Sequence, residues 1–271
     1  MGRSGARGDA GRAARSSILR KTAAEIEAIR EAGRVVRRAL NAMRDAIEPD
    51  RSTTADLEHA AVEVIAGAGA TSAFLGYAPH AMPPFPAWTC ISVNEEVVHG
   101  IPGRRVLKSG DVVSCDVGVL LNGYYADAAS TFPVGDVSPE VERLLTVTRG
   151  ALDRAVAQAK VGARVGDISH AIERHARRHG YCVVHDLVGH GVGRMLHEAP
   201  QIPNYGAAGS GPVLPEGATL AIEPMVNMGR KDVEALEDQW TIVTRDRMVS
   251  AHFEHTVAVT ANGALVLTQG D

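Results

Sequence analysis

Apolar residues three and four positions apart predict two helices near the start of the chain. One apolar stripe runs through residues 23–47, as expected for a helix with one buried face. Thr22 and Glu25 have the spacing of a capping box at its start. A second helix is predicted over residues 54–66, with Thr53 as its N-cap.

A short pattern from the second helix recurs later in the chain. Asp56-Leu57-Glu58-His59-Ala60 and Asp167-Ile168-Ser169-His170-Ala171 are 111 residues apart. A longer helical pattern precedes each copy, over residues 23–47 and 141–160, and an extended region follows each one. This repeated order predicts two related halves, each a helix pair with strands.

Runs rich in β-branched residues predict strands in both extended regions. Asn122-Gly123 is a strong turn signal between residues 112–121 and 124–132, which predicts a hairpin. The other strands are predicted at residues 91–93, 97–98, 219–222, 239–244, 252–259 and 264–268, and Asn262-Gly263 marks a second hairpin. The Pro-rich residues 79–86 predict an irregular loop.

Composition narrows the class of protein. With 45% hydrophobic residues over 271 positions, the chain can bury a sizeable core and is not disordered over most of its length. No apolar run is long enough for a transmembrane helix. Three scattered cysteines without CxxC spacing argue against a disulfide scaffold or a thiolate zinc site and fit a reducing cytoplasm. Only 4% of residues are aromatic, which argues against a stacking platform for single-stranded nucleic acid.

The charge is unevenly distributed along the chain. Residues 1–20 carry five arginines and one aspartate, a net charge of +4, whereas the whole chain carries −4. This Gly/Ala/Ser-rich arm lacks the apolar segment of a secretory signal and is expected to be disordered. It is interpreted either as a contact with an RNA-rich surface such as the ribosome or as a solvated tail without a partner.

The predicted hairpin places two aspartates on one face of the sheet. With Asn122-Gly123 as the turn, Asp127 faces Gly118 and Asp116 faces Ala129. Such diagonal neighbours lie about 7–8 Å apart at the backbone, so their side chains can converge. Two carboxylates there repel each other unless cations lie between them, and two ions about 3.5–4 Å apart would fit. The alternative is a pair of solvated aspartates, although the valines of this strand indicate burial.

Further candidate ligands lie in the second half. His190 and His197 are seven residues apart in a Gly-rich segment. If that segment is extended, an odd separation puts them on opposite faces and gives them different roles. Glu223 ends a predicted buried strand and Glu254 lies within another, where a glutamate is costly unless paired or metal-bound. The alternative is that both glutamates face solvent. Oxygen-rich ligation with imidazole suits hard to borderline divalent ions.

At these residues the chain closely resembles type I methionine aminopeptidases, over about residues 20–268. The resemblance rests on residues 90–95 with 98–102, 110–116, 123–127, 189–193 with 197, 198 and 200, 222–225 and 254–256. It implies an α+β chain with the pita-bread (creatinase/aminopeptidase) fold, in which antiparallel sheet and flanking helices form two pseudo-symmetric halves. A single catalytic domain would span residues 21–271.

The resemblance also implies the site residues. The metal ligands would be Asp116, Asp127, His190, Glu223 and Glu254. Asp127 and Glu254 would bridge two divalent ions, with Co, Mn, Fe and Zn as candidates. Glu223 would be the general base, His197 would stabilise the oxyanion, and His99 would hold the scissile amide nitrogen.

An apolar pocket for methionine is implied as well. Its substrate-binding candidates, besides His99 and His197, are Phe74, Tyr77, Phe85, Cys90, Leu196 and Trp240. Alternatively, these six side chains belong to the ordinary hydrophobic core. Relatives often have an aromatic residue where Leu196 stands, and loop 78–84 is longer than in the shortest relatives, so the chain departs from the family pattern at the rim of the pocket.

The implied function is removal of the N-terminal methionine from nascent proteins whose second residue is small, by a hydroxide bridging the two ions. The enzyme would be a cytoplasmic monomer that acts on nascent N-termini, with no membrane or sequence-specific nucleic-acid partner. One alternative is a proline-specific pita-bread peptidase, but such enzymes carry a large N-terminal domain for which a helix starting near residue 22 leaves no room. A type II enzyme would need a long insertion between His197 and Glu223, where only 25 residues stand. A non-catalytic binding protein is disfavoured because all five ligands and both histidines are present.

Overall fold

The computed structural model describes residues 17–79 and 82–269. These residues form four helices, α1 Ala23–Asp45, α2 Thr54–Gly67, α3 Pro139–Val156 and α4 Val165–Arg178. The strands of the first half are β1 Thr71–Ser72, β2 Cys90–Val93, β3 Glu96–Val98, β4 Val112–Leu121 and β5 Tyr124–Pro133. Those that follow are β6 Cys182–Val183, β7 Val188–Gly191, β8 Glu198–Pro203, β9 Thr219–Ile222, β10 Met225–Asn227, β11 Val233–Ala235, β12 Ile242–Thr244, β13 Ser250–His252, β14 His255–Thr260 and β15 Gly263–Val266. In the described ranges, no helix has the length and apolar character needed to cross a bilayer.

Side-chain caps explain where the helices begin. The predicted capping box of α1 is present, since the Thr22 hydroxyl accepts from the Glu25 N–H and the Glu25 carboxylate accepts from the Thr22 N–H. Asp56 accepts from the Thr53 N–H in α2, and Asp167 accepts from the Arg164 N–H in α4. The two copies of the repeated sequence pattern therefore have the same structural role, which is to close the first turn of the second helix of each half.

The first half is built around the hairpin of β4 and β5. Its register is the predicted one, with Asp127 opposite Gly118 and Asp116 opposite Ala129. β4 also pairs with β1 and β2, which makes a four-stranded antiparallel sheet. α1 and α2 cover one face of this sheet, and their apolar side chains form one buried cluster with it, including Leu40 of α1.

The second half repeats this arrangement with a separate core. An antiparallel sheet has the strand order β15-β14-β9-β7-β8, and α3 and α4 bury Leu144 and Ile168 in the second cluster. Hydrogen bonds join the halves, because the Glu254 N–H donates to the Ala129 carbonyl of β5 over 2.9 Å. The edges that carry the predicted ligands of each half therefore meet.

Two strand predictions differ from the structure, and several short strands were not predicted. The strand predicted over residues 252–259 is two strands, because β13 pairs with β10 in one sheet and β14 pairs with β9 in another, with Phe253 and Glu254 at the crossing. The strand predicted over 239–244 is confined to β12, and Gln239 has a φ of 67°. The strands that were not predicted are β1, β6, β7, β8, β10 and β11. Glycines interrupt the apolar pattern of β7, and prolines interrupt that of β8.

Some predictions fall on residues that the structure does not describe. Residues 1–16, most of the basic arm, lie outside the described ranges, so its expected disorder stays a prediction. Residues 80 and 81 of the predicted loop also lie outside them, and residues 82–86 contain no helix or strand, as predicted.

Candidate functional site

A cavity of about 570 Å³ gathers the residues that the sequence singled out. Its wall includes the five predicted ligands, the two predicted substrate-facing histidines and the six predicted pocket residues: Asp116, Asp127, His190, Glu223, Glu254, His99, His197, Phe74, Tyr77, Phe85, Cys90, Leu196 and Trp240. The hairpin of β4 and β5 contributes the two aspartates, and β7, β9 and β14 place the other three ligand candidates. The cavity thus lies where the two halves meet.

The polar end of the cavity is a cluster of acidic groups around one imidazole. Asp127, His190 and Glu254 each offer a ligand atom, and these atoms lie within 4.8 Å of one another. All three residues are buried. The His190 Nε2 also lies 3.8 Å from a Glu223 carboxylate oxygen. This donor set of carboxylate oxygens and one imidazole nitrogen has the chemistry of a divalent cation site.

The hydrogen bond of His190 decides which of its nitrogens faces the cluster. The Nδ1 lies 2.9 Å from the Gly191 carbonyl oxygen, which can only accept, so Nδ1 carries the proton of the neutral ring. The other ring nitrogen, Nε2, faces a carboxylate oxygen of Asp127, 3.4 Å away. A neutral ring in this tautomer would present its Nε2 lone pair to a cation that Asp127 also binds.

Burial has made the carboxylates hard to ionise. It raises the pKa of Asp116 and of Glu223 to about 8 each, and neighbouring carboxylates act in the same direction. Burial and adjacent carboxylates likewise raise the pKa of Glu254, and burial raises that of Asp127. The Asp116 Oδ1 is buried and has no hydrogen-bond partner among the described residues. Divalent cations would supply both the missing partner and the neutralising charge, so the residues fit a metal site.

Two residues that sequence reasoning missed support this cluster. The Thr256 hydroxyl lies 2.9 Å from the Asp127 Oδ1 and donates to the Asp127 carbonyl, which fixes that side chain. The His252 Nε2 lies 3.5 Å from a Glu223 carboxylate oxygen and is buried, with no hydrogen-bond partner in the part of the chain that the structure describes. Both residues stand two positions from Glu254, and this spacing was the available signal.

Two further histidines stand beside the acidic cluster. Burial, and to a smaller extent His252, lowers the pKa of His99 to about 4, and its ring meets the edge of Trp240. Partial removal from water and the nearby His190 lower the pKa of His197. Both rings are therefore neutral at physiological pH and can donate or accept one hydrogen bond at each nitrogen. The Tyr77 hydroxyl lies 2.8 Å from the Nδ1 of His197.

The prediction that His190 and His197 lie on opposite faces is wrong. Their ring centroids are 4.2 Å apart, and both rings line the same cavity. An odd separation puts two residues on opposite faces only within one extended segment, whereas the chain reverses between β7 and β8, where Gly191 pairs with Glu198. Their environments still differ, since the His190 Nε2 faces Asp127 whereas His197 contacts Tyr77.

The other end of the cavity is apolar. Phe85 packs edge-on against Trp240 with ring centroids 5.1 Å apart, and Cys90 is buried beside them. Burial and the charge of Asp116 raise the pKa of the Cys90 thiol, so it is neutral and acts as an apolar wall. Met82, which sequence reasoning missed, packs on the same cluster. These side chains line open space as well as burying one another, so the arrangement can hold an unbranched apolar side chain.

Comparison with known proteins identifies the family. A family model described as "Metallopeptidase family M24" matches residues 27–261. The chain belongs to metallopeptidase family M24. A relative from Clostridium perfringens, named methionine aminopeptidase, is 46% identical over 251 residues, which are 93% of this chain and 98% of that protein. Methionine aminopeptidase 1 of Bacillus subtilis is 47% identical over 252 residues, 93% of this chain and 99% of its own.

Solved structures of M24 proteins show the same architecture. The methionine aminopeptidase of Thermotoga maritima superposes with a TM-score of 0.89 at 47% identity, covering 93% of this chain and 100% of that one. The prolidase of Pyrococcus furiosus superposes with a TM-score of 0.75 at 25% identity, covering 94% of this chain but 66% of the prolidase. This chain therefore has the pita-bread fold and is a metallopeptidase, and both predictions are confirmed.

Proposed function

We propose that this metallopeptidase removes the N-terminal methionine from newly made polypeptides whose second residue is small. The observation that carries the proposal is the meeting, in one cavity, of a buried carboxylate–imidazole cluster and an apolar pocket. The cluster fits hydrolysis, and the pocket fits the methionine side chain. Because nascent chains are the proposed substrates, we place the activity in the cytoplasm.

We assign two divalent ions to the cluster. Asp116, Asp127, His190, Glu223 and Glu254, which all line the cavity, would hold them. When bound, the ions would neutralise the four carboxylates and lower the pKa of a water between them. Co, Mn, Fe and Zn all accept oxygen and imidazole ligands.

The residues around the cluster would handle the protons. Glu223 is suited to act as general base, because it is a carboxylate in the cavity wall beside His190, where it can reach a water held at the cluster. It would receive the proton of the attacking water and pass it to the leaving amine. The neutral His197 would stabilise the developing oxyanion, and the neutral His99 would contact the amide nitrogen of the scissile bond.

The pocket would select the first residue of the substrate. Phe85, Cys90 and Trp240 form its buried wall, and Phe74 and Leu196 complete it. An unbranched methionine side chain fills such a space at little cost in rotamer strain. Leu196, which is smaller than an aromatic residue, leaves the rim next to His197 more open.

A proline-specific activity has less support. The Pyrococcus furiosus prolidase is 25% identical, against 46% for the Clostridium perfringens methionine aminopeptidase, and this chain spans about two-thirds of the prolidase. All the predicted ligands and both histidines line one cavity, which argues against a non-catalytic binding protein.

The test is release of free methionine from a Met-Ala-Ser peptide. The purified chain is freed of metal and then titrated separately with Mn²⁺, Fe²⁺, Co²⁺ and Zn²⁺, while an Xaa-Pro dipeptide serves as the competing substrate. We expect methionine release with at least one metal and little cleavage of the Xaa-Pro bond. Absence of methionine release with every metal would refute the proposal, and undiminished release by Asp116→Ala would refute the metal assignment.

A further inference from the structure

Two cavity residues are carried by an irregular turn rather than by a strand. Residues 192–197 connect β7 to β8 and belong to no helix or strand, and this turn presents Leu196 and His197 to the cavity. One oxygen of Glu198 accepts from the backbone N–H groups of Arg194 and Met195, over 2.8 and 3.2 Å. The shape of the turn therefore depends on where the Glu198 carboxylate is held.

The carboxylate of Glu198 is held by Lys21, which lies 177 residues earlier in the chain. Its second oxygen forms an ion pair with the Lys21 ammonium, and the two side chains are only 1% and 4% exposed. The Lys21 backbone is fixed in turn, since its N–H donates to the Gly217 carbonyl over 2.7 Å. A methyl group on Gly193 would overlap the Lys21 side chain, so the lysine passes directly across the turn.

A second contact joins the same two segments. The Arg194 guanidinium lies 2.9 Å from the carboxylate of Glu25, in the first turn of α1, and 5.2 Å from the ring of Tyr124. This pair is largely exposed on the Arg194 side and contributes less than a buried pair. It nevertheless fixes the outer side of the turn, while Lys21 fixes the inner side.

We propose that Lys21 is a positioning residue, which through Glu198 holds the 193–198 turn so that His197 and Leu196 keep their places in the cavity. The proposal rests on the proposed function, because it matters for catalysis only if His197 contacts the reacting carbonyl group. It also connects the cavity to the segment that directly follows the basic arm. In the described residues, the hydrogen bonds and ion pairs of the Lys21 side chain reach Glu198 and no predicted metal ligand, so we expect its effect on activity to pass through the turn.

The first test is Lys21→Met, which keeps the length of the side chain and removes its charge. We expect kcat for the Met-Ala-Ser peptide to fall about tenfold or more while KM changes less, because an oxyanion contact forms fully only in the transition state. Preference for methionine over norleucine should change as well, since Leu196 lies on the same turn. Metal content should stay at the wild-type value. Arg51→Met, which removes an exposed ion pair, is the matched control and should change none of these.

Two double variants separate positioning from general stability. Lys21→Met with Glu198→Gln and Lys21→Met with Glu198→Leu both remove the buried unpaired charge. Only the glutamine keeps a carbonyl acceptor for the Arg194 and Met195 N–H groups. We therefore expect slow amide hydrogen exchange at residues 194 and 195, and part of kcat, to return in the glutamine variant but not in the leucine variant. If Lys21→Met alone does not fold, this comparison decides the question.

The outcomes distinguish the two proposals. Wild-type kcat and wild-type amide exchange in folded Lys21→Met would overturn the positioning role, as would equal kcat in the two double variants. A wild-type protein that releases no methionine would count against the proposed function instead. In that case amide exchange at residues 194 and 195 still decides whether Lys21 holds the turn.

Discussion

Replacing Asp116 by asparagine tests whether cations explain the buried carboxylates of the cavity. The change preserves the shape of the side chain and removes one ionisable group next to Asp127 and Glu254. Without metal, that group adds to the repulsion within the cluster, whereas with metal it is a ligand. The variant should therefore be more stable than the wild type in chelator and less stable than the wild type in saturating metal.

The size of the effect follows from the raised pKa of Asp116. The pKa is about 8 in the folded protein against an ordinary value of 3.8. At pH 7 the unfolded chain carries an ionised Asp116, while the metal-free folded protein must keep this group largely protonated. At 1.36 kcal/mol for each pH unit above 3.8, this costs the metal-free protein about 4 kcal/mol. This figure is the largest increase in the free energy of unfolding that Asp116→Asn can give the metal-free protein.

The pH dependence of stability independently tests the direction of the effect of Asp116→Asn. A carboxyl group whose folded pKa lies above its unfolded value destabilises the fold as the pH rises through that window, here from about 4 to 8. The stability difference between Asp116→Asn and the wild type in chelator should therefore be near zero at about pH 4 and grow up to about pH 8. The raised pKa of Glu223 also destabilises the fold as the pH rises. Because Glu223 is present in both proteins, most of its contribution cancels in the stability difference.

The assay is urea unfolding followed by circular dichroism. Wild type and variant are compared at pH 5, 6, 7 and 8, once with chelator and once with saturating Mn²⁺, and metal content is measured by elemental analysis. A variant that is less stable than the wild type in chelator at pH 7 would refute the electrostatic argument. A stability difference that does not shrink towards pH 5 would refute it as well.

Three further predictions concern the base, the pocket and the arm. Glu223→Gln should keep the fold and much of the metal content but lose about 10²–10⁴-fold in kcat, because the amide cannot accept the proton; wild-type kcat in a peptide-release assay would exclude Glu223 as base. Gly118→Ala would put a methyl group 2.7 Å from the Phe74 ring and should lower stability by about 1–3 kcal/mol and raise KM for methionyl peptides. Gly103→Ala, which meets no atom within 4 Å, is its control in thermal melts and kinetics, and an equal effect of both changes would contradict the packing argument. Deletion of residues 1–16 should weaken co-sedimentation with ribosomes at low salt if the arm binds RNA, and unchanged binding would favour a solvated tail.

Much of the site could be predicted because its signals are local. The Asn122-Gly123 turn fixes the register of the hairpin, and that register alone puts Asp116 and Asp127 on one face. Capping residues three positions apart set the starts of α1 and α2. In each case the partners lie within a few residues or across one tight turn, where backbone geometry leaves few alternatives.

Other features were missed because neighbouring residues in the sequence do not decide them. The crossing at Phe253 and Glu254 exists because β13 and β14 have partners in different sheets. Period-two alternation continues through both strands and cannot show a change of sheet. The reversal that brings His197 beside His190 was hidden for a similar reason, since glycines permit a turn there without requiring one.

The sequence by itself determined the helices, the hairpin register and the residue types of a cation site, since these depend on contacts between near neighbours. Only the tertiary structure decided how the two halves meet, which groups share the cavity, and that Lys21 pairs with Glu198 across a separation of 177 residues. Such contacts form when two separately built cores dock, and no periodicity along the chain records them. For the same reason, the residue pattern alone indicated two aspartates on one hairpin and two glutamates on later strands, and the folded chain shows that all four carboxylates are gathered around one imidazole.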